Sequence, residues 1–174
     1  MSTPATDRIL ASASGNGSTL PSVPLRDIVS ALDAELRTSE IPDYPGAVNG
    51  LQVANAGTVH RVAVAVDASR AAIAEAVISG ADLLIVHHGL FWSGVQPLVG
   101  MQYEKFRSML SSGLAVYASH LPLDLHAEHG NNVRLAQALG LAPDGGFARF
   151  KSVDIGVTGT ANEPTDELVN RVQA

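Results

Sequence analysis

The sequence contains no cysteine. Disulfide bonds, thiolate metal sites and cysteine nucleophiles are therefore excluded, so any metal ion must be bound by nitrogen and oxygen atoms. No apolar run approaches the ~20 residues that a membrane-spanning helix needs. The N-terminus also lacks a basic start followed by an apolar signal segment. These absences predict a cytoplasmic protein that does not enter a membrane.

Basic residues are few and scattered, with 11 Lys and Arg against 17 Asp and Glu. This distribution lacks the basic patch with which proteins bind a nucleic-acid backbone, although it does not exclude a small nucleotide. Apolar residues make up 46% of the 174 residues, which is enough for a hydrophobic core. We expect the Ser- and Gly-rich residues 1–22 to form a disordered tail and residues 23–174 to form one domain.

Apolar runs and helical patterns alternate along the chain. The predicted strands are 51–53, 61–67, 83–86, 114–118 and 153–158. The predicted helices are 25–36, 69–79, 101–110, 131–139 and a last one that begins at residue 165. The stretches 119–130 and 142–151 are rich in polar and turn-forming residues, and we expect loops there. Repeated strand–helix–strand units predict an α/β fold with a mostly parallel sheet and flanking helices.

Polar residues follow two of the predicted strands at the point where each strand ends. His87 and His88 directly follow one strand, and His120 and Asp124 follow the next. Ligands of open α/β sheets bind outside the carboxyl ends of the strands. If the two strands are parallel neighbours, these four residues meet at one edge of the sheet. Imidazole and carboxylate groups together form a set of metal ligands.

The adjacent residues His87 and His88 allow three interpretations. In a regular strand their side chains point to opposite faces, so each could bind a separate ion. Both could instead turn inward where the strand gives way to a loop. The simplest alternative is that they only form hydrogen bonds with loop carbonyl groups.

Other polar and aromatic residues near these positions carry weaker signals. His126, Glu128 and His129 are better explained as part of a solvated loop. Phe91 and Trp92 border the paired histidines, and we expect them in a lid or in the core rather than as a stacking platform.

The same segments resemble the NIF-three-like family, whose bacterial members are often named GTP cyclohydrolase I type 2 homologues. The resemblance rests on Ile85-Val-His-His-Gly-Leu-Phe-Trp92, Ser119-His-Leu-Pro-Leu-Asp124 and Gly130-Asn-Asn132. Asn49-Gly-Leu-Gln-Val53 and the strand end Val66-Asp67 are similar to two further family segments. The match runs from about Leu25 to the C-terminus, with the motifs in the family order.

This resemblance implies a NIF-three-like α/β fold, a homohexamer and a site for two divalent metal ions per subunit. His87, His88 and Asp124 match the ligands, with the two histidines divided between the ions. His120 matches a position close to the metals, where it would transfer protons or orient a ligand. The nitrogen and oxygen ligands suit Zn, Mn, Fe, Ni or Co.

The resemblance implies a metal-dependent hydrolase of the GTP cyclohydrolase type, with a nucleotide as substrate. The family also supplies a His and a Glu ligand from a C-terminal segment, and nothing after Asp124 matches that segment. We therefore expect a C-terminally incomplete domain with a half-built site. The alternative function is a metal-binding or protein-interaction module without turnover.

Overall fold

A computed structural model describes residues 21–173. The predicted disordered tail, 1–22, lies outside the described residues except for residues 21 and 22. The chain divides into two compact units, and the described parts are 21–38 with 44–120 and 39–43 with 121–173. The single domain expected over 23–174 stays a prediction. No helix in residues 21–173 is long and apolar enough to cross a membrane.

The first unit contains six strands and three helices among its described residues. They are β1 (Val23–Pro24), α1 (Leu25–Glu35), β2 (Gly50–Val53), β3 (Thr58–Val59), β4 (Val62–Asp67), α2 (Arg70–Ile78), β5 (Leu83–His88), α3 (Gly100–Ser112) and β6 (Ala115–Ala118). The strands predicted at 51–53, 61–67, 83–86 and 114–118 all form. The three predicted helices of this region also form, with ends that differ by a few residues.

The main sheet has the strand order β2-β6-β5-β4. Strands β4, β5 and β6 are parallel, and β2 joins the edge at β6 in the antiparallel sense. Helix α2 connects β4 to β5, and α3 connects β5 to β6, as the two predicted strand–helix–strand units require. The α/β fold with a mostly parallel sheet and flanking helices is therefore confirmed.

One face of this sheet packs against α2 and α3 to form the core. Register places Ala63 beside Leu84 and Leu84 beside Val116, so these side chains lie on one face. All three are buried, together with Ile73 of α2 and Met109 of α3. Full burial of a Leu, Val or Ile side chain stabilises a fold by about 1.5–3 kcal/mol. This packing fixes the ends of β5 and β6 relative to each other.

The ends of α2 and α3 follow local rules that the sequence shows. The Ser69 hydroxyl accepts a hydrogen bond of 3.1 Å from the backbone N–H of Ala72, which caps α2. Gly113 ends α3 with φ of 69°, a left-handed conformation that glycine adopts without a steric penalty. Pro24 occupies the cap position of α1 without a side-chain hydrogen bond.

The second unit contains a short helix, a helix, a hairpin and a last helix. They are α4 (Leu121–Asp124), α5 (Asn131–Ala138), β7 (Ala142–Phe150), β8 (Val153–Thr160) and α6 (Thr165–Gln173). The helices predicted at 131–139 and from 165, and the strand predicted at 153–158, all form. The loop predicted at 119–130 is wrong in part, because α4 interrupts it.

The loop predicted at 142–151 is wrong, because β7 forms there. Its sequence, APDGGFARF, is rich in residues that disfavour strands. The strand forms because it pairs in antiparallel register with β8, from Ala142 beside Thr160 to Phe150 beside Val153. Lys151, with φ of 51°, lies in the tight turn between them. Pairing thus supplies the hydrogen bonds that the local sequence does not predict.

Candidate metal centre

Three histidines converge in the first unit where the parallel strands end. His87 and His88 are the last residues of β5, and His120 follows β6 by two residues. The ring centroids are 4.5 Å apart for His87 and His88, and 4.8 Å apart for His87 and His120. One ring nitrogen from each residue lies within 4.8 Å of the others. The convergence predicted for these three residues is therefore present.

The paired histidines reach the same side of the sheet edge although they are neighbours in the chain. In a regular strand, His87 and His88 would point to opposite faces. Their rings are instead 4.5 Å apart, with an angle of 50° between the ring planes. The interpretation in which both side chains turn inward at the strand end describes this arrangement.

The His88 ring is oriented by Asp67. The Nδ1 atom of His88 lies 2.7 Å from Oδ1 of Asp67, and both side chains are about half exposed. The contact follows from the sheet register, which places Asp67 of β4 directly beside His88 of β5. A carboxylate that accepts the Nδ1–H hydrogen bond leaves Nε2 as the nitrogen suited to a cation. Metal-binding histidines commonly have such a carboxylate partner.

The His87 ring is oriented by the main chain of the residue that directly follows the neighbouring strand β6. Its Nδ1 atom lies 3.0 Å from the carbonyl oxygen of Ser119. Because a carbonyl oxygen can only accept, Nδ1 must carry the proton, and Nε2 is again the nitrogen suited to a cation. The simplest interpretation expected the paired histidines to form hydrogen bonds with loop carbonyl groups, and His87 has such a hydrogen bond. This hydrogen bond uses Nδ1, so it is compatible with metal binding through Nε2.

The segment Asn49-Gly-Leu-Gln52 positions the loops around the histidines. The side-chain oxygen of Asn49 accepts a 2.8 Å hydrogen bond from the backbone N–H of His120. Oε1 of Gln52 accepts one of 2.7 Å from the backbone N–H of Leu90, while Nε2 of Gln52 donates to the carbonyl groups of Ala47 and Val48. Gln52 thus joins the turn before β2 to the loop after β5.

An open cavity of about 440 Å³ lies beside the cluster in the first unit. It is lined by Tyr44, Asp67, His88, Trp92 and His120. The Trp92 ring is edge-on to His120, with 4.7 Å between the centroids, and Trp92 is 37% exposed. Of the two positions expected for Trp92, the core is therefore wrong, because the side chain is exposed at the cavity, and the lid stays a prediction.

Three imidazoles fit a divalent transition-metal ion. Imidazole nitrogen suits Zn, Fe, Ni and Cu, and catalytic zinc sites commonly use three protein ligands. Hydrogen bonds from Nδ1 of His87 and His88 fix the side of each ring that faces a cation. His120 is close enough to be a third ligand. Its predicted role in proton transfer stays a prediction.

Asp124 and its neighbours belong to the second unit. Oδ1 of Asp124 accepts a 2.8 Å hydrogen bond from the side chain of Asn131. Nδ1 of His126 accepts hydrogen bonds from the backbone N–H groups of Glu128 and His129, which stabilises a local turn. The role of Asp124 as a metal ligand stays a prediction.

Sequence reasoning missed the residues that support the histidines. Asp67 ends one predicted strand and His88 lies just after the next, so parallel pairing of the two strands could have indicated the contact. Asn49 and Gln52 gave only a motif resemblance, because their hydrogen-bond partners are distant in sequence.

Together, the fold and the site define an α/β protein with three clustered histidines at the carboxyl ends of a mostly parallel sheet. The sequence model of the family Duf34/NIF3 (NGG1p interacting factor 3) matches residues 23–174. The chain belongs to this family.

Its relatives include proteins named GTP cyclohydrolase 1 type 2 homolog. The chain is 49% identical over 120 residues to the one from Treponema pallidum, a match that covers 68% of this chain and 42% of the relative. It is 44% identical over 138 residues to the one from Pyrococcus abyssi, and this match covers 79% of this chain and 54% of the relative. The chain spans about half the length of the curated relatives it matches.

Two solved structures show the same fold. The crystal structure of TTHA1606 from Thermus thermophilus superposes with a TM-score of 0.65 at 43% identity, over 69% of this chain and 49% of that chain. The protein ybgI, described as of unknown function, gives a TM-score of 0.67 at 40% identity, over 71% of this chain and 50% of that chain. These neighbours confirm the predicted NIF-three-like fold.

Proposed function

We propose that this chain binds divalent metal ions and acts as a metal-dependent hydrolase of the GTP cyclohydrolase type. The observation that carries the proposal is the cluster of His87, His88 and His120, with ring nitrogens within 4.8 Å of one another. The names of the relatives support the class of reaction. The two-ion site, the hexamer, the nucleotide substrate and the cytoplasmic location belong to the same proposal, on the family resemblance.

The residues of this chain would have distinct roles. His87 and His88 would bind the metal through Nε2, while Ser119 and Asp67 hold the opposite nitrogen of each ring. When bound, a divalent ion supplies Lewis acidity and lowers the pKa of its water to about 7. His120 would carry a proton at a ring nitrogen or serve as a third ligand. Asp124 stays a proposed ligand from the resemblance alone.

Metal content per chain tests the proposal. The wild-type protein, purified without chelator or added metal, is expected to contain one to two divalent ions per chain by elemental analysis. His88→Ala should lose most of this metal. His60→Ala is the matched control, because His60 is a half-exposed histidine outside the cluster that faces Asp82. Wild-type protein without metal, even after incubation with Zn, Mn, Fe, Ni or Co, would refute the proposal.

Turnover separates the hydrolase from the module that only binds metal. Metal-loaded protein is assayed for hydrolysis of GTP and other guanine compounds, with His88→Ala as the inactive control. Metal-dependent product formation supports the hydrolase. Stoichiometric metal with no product from any of these compounds would favour the non-catalytic metal-binding or protein-interaction module.

A further inference from the structure

Two of the five residues that line the cavity beside the histidines, Tyr44 and Trp92, have aromatic side chains that are partly exposed. Tyr44 is 48% exposed and Trp92 is 37% exposed, although only 5% of the residues in the chain are aromatic. Both rings face the cluster, since Tyr44 lies 6.3 Å and Trp92 4.7 Å from the His120 ring centroid. A volume of about 440 Å³ is within the range of small-molecule sites.

The loop that carries Trp92, after β5, packs closely against the loop before β2, and this packing fixes one side of the cavity. A Cβ atom on Gly46 would lie 2.9 Å from the backbone oxygen of Trp92, so the two backbones can approach this closely only with glycine at position 46. Gln52 connects the same two loops through Leu90 and Ala47. The aromatic surface is thus formed before a ligand arrives, which reduces the entropy cost of binding.

The charge of the cavity limits what can bind there. Among the described residues that line it, none is Lys or Arg, and Asp67 contributes a carboxylate. A triphosphate would therefore meet no cationic side chain in this cavity and would be repelled by Asp67, so only a metal ion bound at the histidines would attract it. A neutral or cationic ring meets no such penalty, and exposed aromatic faces stack favourably on planar bases.

From these contacts we propose that the cavity binds the planar heteroaromatic ring of the substrate, and that Tyr44 and Trp92 are the residues that recognise it. The side chains of the cavity bind the ring, whereas the phosphates would be attracted only by a bound metal ion. This inference rests on the proposed function, because it names the part of the substrate that lies beside the metal.

Trp92 is the only tryptophan in the sequence, so its fluorescence reports directly on this cavity. Zinc-loaded protein is titrated with guanosine, and with ribose as the control that lacks a heteroaromatic ring. Guanosine is expected to quench Trp92 saturably and ribose to have no effect. Absence of saturable quenching by guanosine, or equal quenching by ribose, would overturn the inference, since the aromatic side chains would then not recognise the ring.

Variants of Trp92 test whether the side chain binds the ligand by stacking or only maintains the shape of the cavity. Equilibrium dialysis with guanosine should show about tenfold weaker binding for Trp92→Leu, because base stacking on one aromatic ring is worth about this much. Trp92→Phe keeps an aromatic face and should retain most of the affinity. Equal affinity of the leucine variant and the wild type would overturn the inference.

Metal content, measured on the same samples, separates failure of this inference from failure of the proposed function. Stoichiometric zinc without guanosine binding refutes the aromatic site and leaves the metal-dependent function standing. Absence of zinc from wild-type protein refutes the proposed function itself, and with it the inference that depends on it.

Discussion

Replacement of Asp67 by alanine tests how the His88 ring is positioned. The carboxylate lies 2.7 Å from Nδ1 of His88, and the two side chains are 52% and 42% exposed. Loss of such a partner usually weakens metal binding by about 10–100-fold. Because both groups are partly solvated, we expect zinc affinity to fall by the lower end of this range, about tenfold or about 1.4 kcal/mol. Calorimetric titration with zinc measures the affinity directly.

The control for this experiment is Asp27→Ala. It removes a carboxylate of similar exposure from α1, in the first unit but outside the histidine cluster, and should leave zinc affinity unchanged. Asp67→Asn should retain part of the affinity, since its amide oxygen can still accept the Nδ1–H hydrogen bond. Thermal unfolding checks that each variant is folded. Zinc affinity equal to wild type in folded Asp67→Ala would refute the positioning argument.

Three further predictions concern stability. Burial raises the pKa of Tyr117, whose hydroxyl donates a 2.7 Å hydrogen bond to Asp33. Because the unfolded chain loses this proton at a lower pH than the folded protein, wild-type stability should fall as the pH rises above about 10. Tyr117→Phe should cost about 1.5–3 kcal/mol in urea unfolding at neutral pH and remove this alkaline loss. Gly46→Ala should cost about 1–3 kcal/mol and shift the Trp92 emission, because its Cβ would lie 2.9 Å from the Trp92 oxygen. Hydrogen bonds from Thr160 and Thr158 lower the pKa of Asp144. The stability that the ionised carboxylate contributes should therefore disappear as the pH falls through that lowered pKa. The melting temperature of Asp144→Asn should depend less on acid pH than that of the wild type.

Each of these predictions has an outcome that contradicts it. Exposed Tyr103 provides the control for Tyr117, and equal losses from the two phenylalanine variants would show that the buried hydrogen bond is unimportant. An unchanged melting temperature and emission spectrum in Gly46→Ala would mean that the loops separate at no cost. Identical acid profiles for wild type and Asp144→Asn would remove the assigned role of the carboxylate.

Local sequence determined most of the sheet and the helices of the first unit. The run Leu83–Val86 is apolar on both faces, as a central parallel strand requires, and Ser69 and Gly113 carry standard helix-end signals. These features act over a few residues, so they are visible in the chain itself. The convergence of His87, His88 and His120 followed from strand ends and the rule that parallel strands end at one edge.

Only the tertiary structure decided which groups support the histidines and which residues form the cavity. Asp67 contacts His88 through sheet register, Asn49 holds the His120 backbone across 71 positions of sequence, and Gly46 meets the Trp92 backbone. The β7 strand likewise depends on its partner and has little strand propensity of its own. Sequence patterns report each residue's own preference, whereas these contacts depend on which distant segment the fold brings alongside it.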